Sequence, residues 1–174
     1  MAEREQRQVS AKEPSIVSKD PVTGQSLEMT VSEMEAPTHE RAKELFAYWS
    51  ECVRAGDFVM GRDVPARAIT RLTKHLNVME PVGDDFRFRL VGSELNHRIG
   101  HDITGMLVSE VYPEVVVKGF LASLHKVVET GVPVFQAVRV TGHLGDVRRP
   151  EVVMVPMKSP DRTQTWILHC VFYW

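Results

Sequence analysis

The chain is poor in the features that announce a chemistry. It holds two cysteines, Cys52 and Cys170, too few and too far apart for a disulfide framework or a zinc cluster. No apolar run approaches the roughly 20 residues that a membrane helix needs, and the opening MAEREQRQVS lacks the apolar centre of a secretory signal. With 21 Lys and Arg against 23 Asp and Glu, the formal net charge of −2 offers nothing to attract nucleic acid or an anionic membrane. There is no glycine loop followed by lysine to cradle a phosphate and no internal repeat. Ser93, Ser109 and Ser123 have no nucleophile-elbow context, and the paired acids Asp84 and Asp85 fall on a turn where carboxylates are solvated. What is left is a cytoplasmic globular protein that neither inserts in a membrane nor binds nucleic acid, with no residue named for covalent catalysis. It is not expected to be an enzyme.

What is present is enough for one core. At 174 residues, with 43% hydrophobic and 25% charged content, the chain fits a single domain of ordinary size with extensions. Residues 1–36 are rich in Glu, Lys, Arg, Ser and Gln, contain Pro14 and Pro21, and show no sustained hydrophobic period. They read as a mobile N-terminal arm, with Asp20-Pro21-Val22-Thr23-Gly24 as turn chemistry and Ile16, Val17, Leu27 and Met29 as docking residues. Residues 37–76 read as a helical extension. In its first helix, capped by Thr38 and ended at Gly56, Ala42, Leu45, Phe46, Trp49 and Val53 form one apolar stripe. Its second helix starts at Asp63 with Pro65 in the first turn, and its buried face would be Ala68, Ile69, Leu72 and Leu76.

Residues 75–174 carry strand character. His75 to Pro81 and Phe86 to Gly92 flank a Gly83-Asp84-Asp85 turn, and in the second strand Phe86, Phe88 and Leu90 alternate with Arg87 and Arg89. Ser93 can cap a short helix with Leu95 and Ile99 on its apolar side, Gly100 stops it, and Asp102 and Gly105 bracket a further turn. A half-buried strand running straight into short helices is a way to build the wall of a ligand cavity. A longer helix spans about Glu114 to Thr130 with Gly131 as its stop, and strands follow over Val134–Thr141, Glu151–Met157 and Gln164–Tyr173. The last strand is apolar on both faces, His169 excepted, so both faces of the sheet must be covered. The Leu45, Phe46, Trp49 and Val53 stripe is the candidate cover, from its own chain or from a second subunit.

Several of these segments together resemble one small bacterial PAS family. They are Phe88-Arg89-Leu90-Val91-Gly92-Ser93-Glu94-Leu95, Gly100-His101-Asp102-Ile103-Thr104-Gly105, Val128-Glu129-Thr130-Gly131-Val132-Pro133, Val155-Pro156-Met157 and the helix with Leu45-Phe46-Ala47-Tyr48-Trp49. The likeness runs over about residues 40–174. It implies an α+β fold: a five-stranded antiparallel sheet with short helices and one long helix on one face, plus the N-terminal helical extension. It also implies a sensory or protein-interaction module that signals to another protein in trans. No output domain is expected after the last strand, in keeping with the same reading.

A ligand would then sit near Leu95, Ile99, Leu107, Tyr112, Phe120 and Leu124, and Leu45, Phe46, Trp49 and Val53 would serve a homodimer interface. Neither flavin nor haem is expected. The photoadduct cysteine of PAS-like light sensors is missing between Gly105 and Pro113, while Cys52 and Cys170 read as small buried residues. The haem-ligating position of PAS oxygen sensors falls near Phe120, and His125 lies more than a turn further on. His97 and His101 have metal-ligand spacing, but Gly100 interrupts their helix and no third ligand is evident, so no metal is expected. The alternative is a small cavity-based enzyme or small-molecule binding protein on the same α+β scaffold. Its only polar candidates are His97, His101, Tyr112 and His125, with no spacing that makes them converge.

Overall fold

The computed structural model describes residues 15–20, 23–142 and 144–174. An antiparallel sheet of eight strands runs through the molecule. The strands are β1 (Ser15–Lys19), β2 (Ser26–Met34), β3 (Leu76–Val82), β4 (Asp85–Val91), β5 (Val134–Gly142), β6 (Val147–Arg148), β7 (Glu151–Lys158) and β8 (Thr165–Phe172). Their order is β1-β2-β5-β7-β8-β3-β4, with the short β6 paired to β5. The helices are α1 (Glu40–Arg54), a 3-10 helix (Arg67–His75), α2 (Ser93–Ile99), α3 (Val108–Val111) and α4 (Glu114–Thr130). β3, β4, β5, β7 and β8 are the five strands that the sequence leads one to expect.

The segment expected as an arm carries two strands instead. β1 and β2 form a hairpin, and β2 pairs along β5 from Leu27 opposite Gly142 to Met34 opposite Phe135. The turn chemistry at Asp20 is what closes the hairpin: Thr23 donates its N–H to the Asp20 carboxylate at 2.8 Å and Gly24 donates to the Asp20 carbonyl at 2.8 Å. Leu27, Met29 and Val31 lie at period two, opposite Gly142, Val140 and Val138 respectively, so the apolar set is a strand pattern that the flanking charges mask. Residues 1–14 of the expected arm lie outside the described residues.

Both faces of the sheet are covered from within the chain. One face packs α1 and the 3-10 helix, with Leu45, Leu72, Val153, Val155, Leu168 and Phe172 in the shared core. The other packs α2, α3 and α4, through residues including Phe86, Phe88, Ile103, Leu124, Val127 and Ile167. The doubly apolar β8 follows: Trp166, Leu168, Cys170 and Phe172 face α1, while Ile167 and Val171 face the other helices. α1 meets β7 with Trp49, whose indole N–H donates to the Pro156 carbonyl at 2.9 Å.

Local details depart from the sequence expectations for identifiable reasons. His39 caps α1 by accepting the Arg41 N–H at 3.1 Å, because Thr38 is bound elsewhere, to Glu151. Val53 rotates off the stripe onto the exposed side of α1, at 40% exposure. The second helix starts at Arg67, not Asp63. The Asp63 carboxylate already accepts the Val59 N–H at 2.7 Å and pairs with Arg62, so it is not free to cap. Ala68 points to solvent, and the backbone leaves helical geometry at Ile69. α2 is capped by Gly92, with no side-chain cap from Ser93. A bulge in β4 pairs Val78 with Leu90 and Met79 with Phe88, leaving Arg89 as the extra residue. That bulge turns Leu90 toward the α1 side, away from the face of Phe86 and Phe88. Gly100 and Gly131 end α2 and α4 in the left-handed conformation, as their positions predict.

Candidate functional site

A cavity of about 320 Å³ opens between the sheet and the helices on the α4 side. The hairpin supplies Ile16, Leu27, Met29 and Val31 to its wall, and β5 supplies Val138 and Val140. Val152, Met154 and Val171 come from β7 and β8, and Leu95 and Ile99 from α2. α4 presents Val116, Gly119 and Phe120. Gly119 lies in the middle of a 17-residue helix, where glycine costs about 1 kcal/mol relative to alanine. A Cβ built there would meet nothing within 4 Å, so the missing side chain leaves open space and does not accommodate a close neighbour.

Few polar groups interrupt this wall. His169 of β8 is 3% exposed, and its ring lies 5.2 Å from that of Phe120. Burial alone pushes its pKa down to about 4, so it is neutral near pH 7. Gly92 donates its N–H to the Asn77 side-chain oxygen at 3.1 Å, which fixes the Asn77 amide and leaves Nδ2 3.4 Å from His169 Nδ1. The same Nδ2 donates to the His75 and His169 carbonyls at 3.3 and 3.2 Å. Tyr112 and Tyr173 also line the cavity, and burial raises the pKa of both phenols, so both keep their protons. Gln136 donates its amide to Ser123 at 2.9 Å.

The ionised wall residues are Asp20, Arg98 and Arg148. Arg148 lies 3.8 Å from Asp20 and 4.0 Å from Asp146. The Arg98 guanidinium lies over the Tyr173 ring at 3.4 Å from the centroid, and among the described residues the Nε atoms of both Arg98 and Arg148 are buried with no hydrogen bond. Glu94, one turn earlier on α2, is 3.0 Å from Lys74.

Of the expected ligand residues, Leu95, Ile99, Tyr112 and Phe120 come together on the cavity wall. Leu124 is wholly buried in the α4 core, and Leu107 is at the start of α3, bridged to Arg87; neither lines the cavity. His97 and His101 are exposed, and His125 lies 3.0 Å from the Asp84 carbonyl with its ring edge-on to Phe86, so Tyr112 is the one member of the enzyme set on the wall. Leu45 is wholly buried in its own chain's core, with Phe46 and Trp49 packed against it, which leaves Val53 as the exposed member of the expected interface set. Cys170 is fully buried, and burial pushes its thiol pKa up; Cys52 is half-buried on α1. The hairpin residues, Arg98, Arg148 and His169 are wall residues that sequence reasoning missed. The period-two set Leu27, Met29 and Val31 was the available signal for the hairpin, and a lone histidine in an apolar strand was the signal for His169.

The sequence matches the PAS domain family over residues 37–172. The chain belongs to the PAS domain family. The match takes in α1 and the 3-10 helix as well as the five-stranded part. PAS domains are in general sensory and interaction modules, and the α+β architecture agrees with the match. None of the curated proteins compared with the chain matches it. Among the described residues, no helix is long and apolar enough to cross a membrane.

Proposed function

We propose that this PAS protein is a cytoplasmic sensory module, gated by a small molecule in the cavity, that acts in trans on a signalling protein and works as a homodimer. The observation that supports it is the apolar 320 Å³ chamber with Gly119 unfilled on its helical wall. That volume corresponds to roughly ten waters at ~30 Å³ each, room for an organic molecule of modest size. β7 gives the chamber a route to the opposite face. Val152 and Met154 line the cavity, whereas Val153 and Val155 pack with α1. A ligand changes partner affinity only by binding two arrangements of these walls unequally.

The test is a native mass spectrum of the gently purified full chain and of Gly119→Met. Non-covalent mass on the wild type that is lost from the variant, with the helical signal intact, supports the reading. Equal occupancy of both, or no retained mass with no self-association, overturns it.

A further inference from the structure

We infer that the cavity takes an amphipathic anion, a monocarboxylate with a hydrocarbon body of about ten carbons, and that Arg98 holds its carboxylate. The inference rests on the ligand-binding reading above and names the class of molecule. Its basis is the inventory of uncommitted groups on the wall. Among the described residues, Asp20, Arg98 and Arg148 are the ionised side chains there, which sum to one net positive charge. Arg148 is the cation that Asp20 faces, at 3.8 Å, with Asp146 at 4.0 Å on its other side. Arg98 makes no ion pair among the described residues, because Lys74 takes Glu94, its neighbour at the i−4 position. A guanidinium has five N–H donors and no acceptor, and Arg98 Nε, like Arg148 Nε, is buried without a hydrogen bond; Arg148 has carboxylates beside it and Arg98 has none in ion-pair contact among the described residues. An uncompensated buried donor on a cation is costly until an anion or a strong acceptor meets it.

The neighbouring groups add donors of the same kind. His169 lines the cavity as a neutral ring, which carries one N–H donor. The Tyr112 and Tyr173 hydroxyls make no hydrogen bond among the described residues, and Tyr173 lies directly beneath Arg98. Both phenols stay protonated, and each can donate to a carboxylate oxygen. Around these groups stand Met29, Val31, Val138, Val152 and Met154, which offer nothing to a second polar end; the remaining polar wall groups have partners within the protein, Gln136 in Ser123 and Arg148 in Asp20 and Asp146. One charged end and a long apolar remainder is the chemistry that such a chamber recognises.

The experiment compares decanoate with 1-decanol by calorimetry on the full-length protein, each below its aggregation threshold, for wild type, Arg98→Met and Arg98→Lys. Wild type should prefer decanoate at least tenfold. Arg98→Met should lose that preference, with its urea midpoint and far-UV circular dichroism showing that it is folded, and Arg98→Lys should retain part of it. Equal or tighter binding of decanol, or a preference that survives in Arg98→Met, overturns the assignment and leaves the cavity reading standing. Binding of neither probe overturns the assignment and removes the support for the ligand-gated reading as well.

Discussion

The Glu151 carboxylate should be the clasp that holds the start of α1 to the sheet. It is 2% exposed at the first position of β7, and it accepts the Thr38 N–H at 2.9 Å, the Thr38 hydroxyl at 2.6 Å and the His39 N–H at 2.9 Å. His39 is the cap of α1, and its ring stacks on Phe172 at 5.4 Å, so the clasp fixes both the helix entry and an aromatic contact. Each hydrogen bond to a charged acceptor is worth about 1.5–3 kcal/mol, and bonds that share one carboxylate do not add. Thr38 is exposed, so water replaces part of what Glu151→Ala removes, whereas His39 is buried and its amide is left unsatisfied. The expected loss is about 2–4 kcal/mol for Glu151→Ala. Glu151→Gln keeps one oxygen in place and should lose about 1–2 kcal/mol. For a chain of this size the alanine variant should melt roughly 5–15 °C lower. Urea unfolding gives the energies, and amide exchange at residues 40–44 reports where the structure loosens. A loss under about 1 kcal/mol for Glu151→Ala, or identical losses for the two variants, refutes the reasoning.

Three further outcomes follow from the same geometry. Gly92→Ala should be severely destabilising although Gly92 has an ordinary φ of −67°, because a Cβ would stand 2.3 Å from the Lys74 carbonyl oxygen; a urea midpoint within error of wild type contradicts this. Leu124→Ala should cost about 2–5 kcal/mol as a core cavity while leaving decanol affinity within twofold, since Leu124 is buried outside the ligand chamber; calorimetry on the folded variant decides. For His169, burial lowers the folded pKa to about 4, below the ordinary histidine value near 6.5. The unfolded chain therefore binds the proton first as pH falls. The stability that depends on a neutral His169 is fully present above about pH 6.5 and is lost progressively down to about pH 4, roughly 3 kcal/mol in all. Urea melts at pH 5 and 7.5 should show a larger acid loss for wild type than for His169→Gln, and equal slopes refute the attribution.

Much of the fold was legible because it rests on periodicity and punctuation. Gly131 ends α4 where the apolar repeat stops, and β8 announces a sheet covered on both sides by being apolar at successive positions. The bulge at Arg89 was not legible, since one inserted residue leaves the alternation of Phe86, Phe88 and Leu90 intact on paper while sending Leu90 to the other face. The hairpin was missed for a compositional reason. Leu27, Met29 and Val31 alternate with Glu28, Thr30 and Ser32, but the charges around them lower the average over any long window below a core value. The turn at Asp20 was visible, and a turn of that kind flanked by short alternating runs is a hairpin signal.

The chamber is where sequence reasoning found one wall and missed the others. Leu95, Ile99 and Phe120 follow from helical spacing, which says which side of α2 and α4 faces the sheet, and Tyr112 joins them from the end of α3. Spacing within one helix says nothing about what stands opposite it, and that depends on β2 pairing with β5 across more than 100 residues of chain. Without that pairing Val138 and Val140 would border solvent. With it Met29 and Val31 stand beside Val140 and Val138 on one sheet surface, and the four line the cavity together. The polar end is less legible still. Arg98 reads as an ordinary basic residue in the last turn of a helix, well placed for the helix dipole. Only the tertiary structure puts it over Tyr173 with Glu94 already engaged by Lys74, and that conjunction, not the residue type, turns it from a solvated surface charge into a candidate for recognition.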